Sequence, residues 1–263
     1  NIIPIFIFDG KPPPEKRELL QKRKVDKQEA EEEYNKLKKN LEINTHMDEA
    51  DKQEIIYNMD MLKKKFISIN KNDTDQIKNL IRAYGATYYD APGEADELCA
   101  MLTIKEKVWG CLSEDMDMFI YGCPRVIRYL SLLNHTVVIY DVKGILHNLG
   151  ITQKQLRDIC VLSGTDYNLE CDDSKNTLNN TLKQFKKYHK SKSNLDFYDW
   201  LIINNKNYIK DIDLLKKIYD IFDLNVNHFD IKIFEKIKIQ NGPVLKDVIK
   251  SILKTDGFIF PVL

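Results

Sequence analysis

The chain has 263 residues, and 43% of them are hydrophobic, enough to bury a sizeable core in one large domain or in a core carrying an insertion. Forty basic and forty acidic residues give a net charge of zero, which argues against a simple polycation for nucleic acid but leaves local clusters open. No apolar run is long enough to span a bilayer, and the five cysteines, odd in number and without a CxxC pair, favour free thiols in a reducing compartment over disulfides or zinc.

"IPIFIFDG" (4–10) reads as a buried parallel strand with Asp9 at its carboxyl end. "KPPP" breaks the chain. Residues 15–42 and about 47–67 then form two charged helices with sparse apolar positions, expected to project from the core rather than fill it. "TDQIKNLIRAYG" predicts a helix with Thr74 as N-cap and Gly85 as stop signal. "ATYYD" is a short strand, and a helix begins just after Pro92-Gly93. The segment 107–113 is a buried strand leading into "SEDMD", and "RVIRYL" and "TVVIYD" supply two further strands in an antiparallel addition. Beyond Gly150 the pattern is helical: "TQKQLRDICVLSG", "TLNNTLKQFKKYH", "LDFYDWLI", "DIDLLKKIYDIF" and "GPVLKDVIKSIL". Basic runs at 36–39, 63–65 and 183–192 are ordinary solvated helix faces taken singly.

The chemistry lies in the acids. Asp9 ends a strand, Glu94 and Asp96 open a helix, Asp115 and Asp117 follow a strand, and Asp166 follows a helix. In an open α/β sheet, functional groups gather outside the carboxyl ends of strands. Residues two apart in extended backbone project to one side, so Asp115 and Asp117 can share an ion. Each acid alone has a plain structural explanation: Glu94 and Asp96 suit the positive end of a helix dipole, and Asp166 suits a turn. Together they form a self-repelling cluster that makes sense around multivalent cations. Oxygen ligands without His or Cys suit Mg²⁺ or Mn²⁺.

"FDGKPP", "APGEADELCA", "SEDMDMFIYG" and "GTDY", in this order and with a charged helical insertion after the first, resemble the flap endonuclease/XPG family of 5′ structure-specific nucleases over roughly residues 4–200. The resemblance implies a PIN-like α/β fold with a mostly parallel sheet. A nuclease core would span 1–170, with a helical arch at 14–73 inside it, and a helical, helix–turn–helix type DNA-binding region would span 171–263. It implies metal-site acids at Asp9, Glu94, Asp96, Asp115, Asp117 and Asp166, around two Mg²⁺ ions or Mn²⁺ in their place. It also implies a catalytic Lys16 and Arg23 on the first arch helix. The implied reaction is two-metal hydrolysis of DNA phosphodiesters at a 5′ flap or by a 5′–3′ exonuclease, in replication and repair, by a monomer in the nucleus or at a cytoplasmic site of replication.

Two departures accompany the match. The family has a further metal-binding Asp in an N-terminal strand that would precede Asn1, so this chain reads as a fragment. A catalytically weakened DNA-junction-binding module is accordingly the alternative reading. After "GTDY" the family continues into a Gly-rich turn that binds a phosphate, whereas here the chain runs "NLECDDSKNTLNNTLKQFKKYH", to His189, without a glycine. Lys183, Lys186 and Lys187 are expected to hold the DNA backbone by charge instead. The end, "DGFIFPVL", lacks the Gln-led motif for a sliding clamp, and that partner is not expected.

Overall fold

The computed structural model describes residues 2–44, 47–168, 177–224, 232–235 and 238–260. In chain order the elements are β1 (Ile5–Phe8), α1 (Arg17–Ile43), α2 (Glu49–Phe66), α3 (Lys71–Ala83), β2 (Thr87–Asp90), α4 (Ala95–Ile104), β3 (Cys111–Leu112), α5 (Asp117–Tyr121) and β4 (Arg125–Ser131). They continue with β5 (Thr136–Asp141), α6 (Val142–Leu149), α7 (Gln153–Ser163), α8 (Leu178–Ser191), α9 (Phe197–Asn204), α10 (Ile212–Phe222), α11 (Lys232–Glu235) and α12 (Lys246–Thr255). The chain divides into two compact units, one of Asn1–Ile3, Lys16–Thr87 and Gln240–Leu263, the other of Pro4–Glu15 and Tyr88–Ile239.

In the first unit, α1 and α2 pair as a helical hairpin that buries only Leu19, Ala30 and Leu62. Their apolar positions are too few to make a core, and the contacts that exist are local. Tyr34 meets Phe66 edge-on at 5.4 Å, and Lys27 Nζ donates to Ile67 O at 3.3 Å. The expected N-cap of α3 moves. Asn70, not Thr74, caps the helix: its side chain accepts from Asp73 N at 3.1 Å, and the Asp73 carboxylate accepts from Asn70 N at 2.9 Å. This reciprocal box satisfies two orphan donors, where a cap at Thr74 would satisfy one. Thr74 sits within the first turn, with its hydroxyl on Asn70 O. Gly85 does end the region, at φ +70°, and an added Cβ there would lie 2.3 Å from the Gly242 backbone. Its carbonyl accepts from Gly242 N at 2.8 Å, which seats α12 beside α3.

The second unit holds two small sheets. β1 pairs with β2, and past their ends Phe8 O accepts from Ala91 N and Gly10 N donates to Gly93 O, both chains advancing in one sense. β3 pairs parallel to β4 (Cys111 with Val126), and β4 antiparallel to β5 (Val126 with Tyr140), as the hairpin reading expects. Two strand readings shrink. β1 is buried on one face only, since Ile5 and Ile7 pack inward while Phe6 is exposed. The expected strand 107–113 contracts to Cys111–Leu112, because Lys107 N and Val108 N both turn back to Leu102 O at the end of α4.

Helices α5 and α6 have no counterpart in the sequence pattern; the first is a five-residue turn stopped by Gly122 at φ +85°. The main core lies between β3–β4 and helices α5, α7, α8, α9 and α10, with Met118, Val126, Val161, Leu201, Ile218 and Phe222 fully buried. A smaller cluster of Ala91, Leu98, Leu102 and Phe234 fastens α4 to β1. No helix among the described residues is long and apolar enough to cross a membrane.

Candidate acidic active site

The site begins where β1 ends. Gly10 N donates to Gly93 O at 2.7 Å, and a Cβ at Gly10 would stand 1.9 Å from Ala91 O, so no larger residue fits this approach. Asp9, fixed beside it, accepts the backbone N–H of Ala95 on Oδ1 at 2.8 Å. It thereby caps α4 from a distant segment, while the N-cap residue itself, Glu94, makes no side-chain cap bond. A carboxylate at a helix N-terminus gains from both the orphan N–H and the helix dipole.

From α4 the connections continue to the acids after β3. Ser113 Oγ donates to Asp96 Oδ1 at 3.4 Å and accepts from Asp115 N at 3.1 Å. Asp115 Oδ1 in turn accepts from Asp117 N at 2.8 Å, starting α5. Asp115 and Asp117 are therefore neighbours, but across a helix start and not along extended backbone as the two-residue spacing implied. Glu114 faces elsewhere: it accepts from Tyr129 N at 2.6 Å and pairs with Arg128 Nε at 3.3 Å, bracing the β4–β5 hairpin.

Glu94 is reached from the other side by Tyr167, whose hydroxyl donates to Glu94 Oε2. Tyr121 interacts electrostatically with Tyr167, and burial pushes both phenols well above their ordinary range. Burial first, and then the Glu94 charge, raises Glu97 on the same turn. Asp166 precedes Tyr167 in a turn held by Asn168, which accepts from Thr165 N at 2.6 Å and donates to Val161 O at 2.9 Å. Ser113, Tyr121 and Tyr167 carry no signal in the sequence beyond their closeness to the acids.

The segments bearing Asp9, Glu94, Asp96, Asp115 and Asp117 are thus joined by side-chain hydrogen bonds, with Asp166 one residue from the Tyr167 link. Their donor set is all oxygen, which fits a hard divalent cation. Among the described residues, no group of three or more His, Cys, Asp or Glu side chains closes on one point as a metal cage.

Lys183, Lys186 and Lys187 of α8 line one groove of about 580 Å³, together with Lys190, Gln184, Asn180, Asn205, Asn207 and Tyr208. Positions 183, 186, 187 and 190 follow helical spacing, so the four ammonium groups share a face. Lys190 was not singled out from the sequence, although the same spacing places it there. Residues 169–176, where the Gly-free replacement of the family's turn falls, lie outside the described residues. Lys16 is half-buried at the cap of α1 and Arg23 is exposed on that helix, both within the first unit.

Residues 85–166 match the XPG I-region. The chain is 35% identical over 175 residues to flap endonuclease 1 of Glycine max, covering 65% of this chain and 42% of that protein. It is 32% identical over 169 residues to flap endonuclease 1 of Methanococcus aeolicus, covering 64% and 48%. The chain therefore spans less than half the length of these curated relatives. Among solved structures, the catalytic core of Rad2 in complex with DNA substrate superposes with a TM-score of 0.58 at 24% identity, over 97% of this chain and 74% of that one. Flap endonuclease-1 from Methanococcus jannaschii gives 0.55 at 21% identity, over 96% of this chain and 75% of that one. These structural likenesses establish the PIN-like α/β fold.

Proposed function

We propose that this chain, whose residues 85–166 match the XPG I-region, is a structure-specific nuclease of the flap endonuclease/XPG kind that hydrolyses DNA phosphodiesters beside a junction with a free 5′ end, using Mg²⁺. The observation that carries the reading is the bonded succession from Asp9 through α4 and Ser113 to Asp115 and Asp117, which fixes acids from separate segments beside one another. An enzyme of this kind needs such a set, since like-charged carboxylates held together by the fold attract divalent cations.

Asp9, Glu94, Asp96, Asp115, Asp117 and Asp166 would hold two ions. When bound, these supply Lewis acidity toward the phosphate and a more acidic water. Asp9 caps α4 through the Ala95 N–H, and Ser113 joins the Asp96 carboxylate to the backbone of the loop after β3. Lys16 and Arg23, seven residues and about two helical turns apart, would attract the strand's phosphates and offset charge developing on the scissile group. Lys183, Lys186 and Lys187 would hold the duplex backbone at their groove. The arch at 14–73, the core over 1–170 and the DNA-binding helices over 171–263 complete the proposed division of labour, in a monomer acting on DNA in the cell.

The deciding assay uses an end-labelled 5′-flap oligonucleotide with Mg²⁺ or Mn²⁺. Cleavage near the junction, abolished in Asp115→Ala and Asp117→Ala, supports the proposal. A ladder of short products from a labelled duplex end moves it to exonuclease. Flap binding without cleavage, unchanged by either substitution, overturns the catalytic reading.

A further inference from the structure

Glu94 heads α4 without capping it, yet a side chain from a segment 73 residues away meets its carboxylate. That side chain is Tyr167, 8% exposed, whose hydroxyl donates to Glu94 Oε2. Behind it lies a second phenol, Tyr121, 3% exposed and close enough to Tyr167 for the two to interact electrostatically. Both rings rest on one fully buried residue of α10, Phe222, with centroids at 5.0 Å for Tyr121 and 5.5 Å for Tyr167. Burying two hydroxyls beside a carboxylate costs free energy unless their bonds are made and kept, and ring packing on Phe222 keeps both aromatic planes fixed.

A hydroxyl donor on one oxygen of a carboxylate restricts rotation about its terminal bond and so sets the direction of the other oxygen. The same atoms that satisfy the buried phenols therefore aim Glu94. We infer that Tyr167, backed by Tyr121 and Phe222, is a positioning residue for Glu94, turning its carboxylate toward the divalent ion that the acidic site is proposed to bind. The inference rests on that reading of the acids and adds to it a dependence on α10, an element with no acid in the site. The role proposed for the phenols is orientation, exerted through Glu94.

The experiment measures Mn²⁺ binding to the DNA-free protein by the EPR signal of free Mn²⁺, alongside the metal dependence of flap cleavage. Tyr167→Phe removes the hydroxyl and keeps the ring on Phe222; Tyr121→Phe removes the outer hydroxyl only. Tyr198→Phe is the control, since it deletes an equally buried hydroxyl whose bond is to Asp158 O. Tyr167→Phe is expected to weaken Mn²⁺ binding about 10-fold, the lower end of what loss of a ligand's orienting partner costs. Cleavage should recover at saturating metal, so the change falls on the metal requirement and not on the maximal rate. Tyr121→Phe should shift binding in the same direction by less, and Tyr198→Phe should leave it unchanged. Wild-type affinity in Tyr167→Phe, or an equal loss in Tyr198→Phe, overturns the positioning role alone. A wild-type protein that binds no Mn²⁺ overturns the reading of the acids and this inference with it.

Discussion

Asp9 Oδ1 accepts the Ala95 N–H at 2.8 Å, so the acid that closes β1 also caps the helix carrying Asp96. One side chain thus serves two ends, and the two can be separated by substitution. Asp9→Asn keeps an oxygen acceptor for the cap and loses the charge. Asp9→Ala loses both, and should cost about 1 kcal/mol in thermal or denaturant unfolding. Asp9→Asn should melt close to the wild type while requiring more Mg²⁺ for cleavage. Equal metal requirements in wild type and Asp9→Asn would confine Asp9 to capping.

Gly10 gives a sharper stability test. A methyl at this position meets Ala91 O at 1.9 Å, a backbone atom that cannot swing aside. Gly10→Ala should destabilise by about 1–3 kcal/mol, as overpacking does, and should displace the neighbouring Asp9. Denaturant unfolding with an unchanged midpoint would show that β1 relaxes freely.

Asp158 predicts a pH dependence. It is 4% exposed on α7, and burial raises its pKa to about 6 from an ordinary 3.8, against the opposing pull of Lys154 at 3.7 Å. Between those two pH values the native state binds the extra proton. Stability should therefore fall as pH climbs from about 4 to about 6 and level off above. The ionised form carries a penalty on the order of 3 kcal/mol at neutral pH. Asp158→Asn should raise the melting temperature at pH 7.5, with the gain shrinking as pH falls and vanishing below about pH 3.8; Lys154 retains Asp196 at 3.0 Å in that variant. A gain independent of pH would assign it to packing.

The lysine groove is tested by salt. Replacing Lys183, Lys186 and Lys187 with Ala, all exposed on α8, should leave the fold intact and weaken flap binding. The slope of log affinity against log salt should shrink by about 0.9 for each lysine that meets a phosphate. An unaltered slope would remove α8 from the DNA interface.

Lys16→Ala and Arg23→Ala should lower the maximal cleavage rate by as much as about 100-fold, the scale of removing one charge-stabilising donor. Flap affinity should change little, and a loss confined to affinity would make them ordinary phosphate anchors.

The acids stand out in the sequence because five of them lie at the end of a strand or the start of a helix and Asp166 just past a helix, positions that periodicity locates well. What fastens them was not legible. Ser113 works through a bond to Asp96, 17 residues away, and Tyr167 through one to Glu94, 73 residues away; no local pattern encodes either. Asn70 displaced Thr74 as cap because two reciprocal bonds outweigh one, a comparison that needs side-chain geometry. The strand expected at 107–113 failed for a related reason: its apolar residues serve the turn that closes α4 before they serve a sheet.

Glu114 stands between Ser113 and Asp115 in an acidic run, yet its carboxylate is committed to Arg128 and the Tyr129 amide. Counting negative residues along "SEDMD" consequently overstates the ion-facing charge of that loop by one. It also ties the loop to β4: Glu114 joins Arg128 and Tyr129 to the peptide adjoining Asp115, so the acidic centre and the middle of that strand are held as one piece.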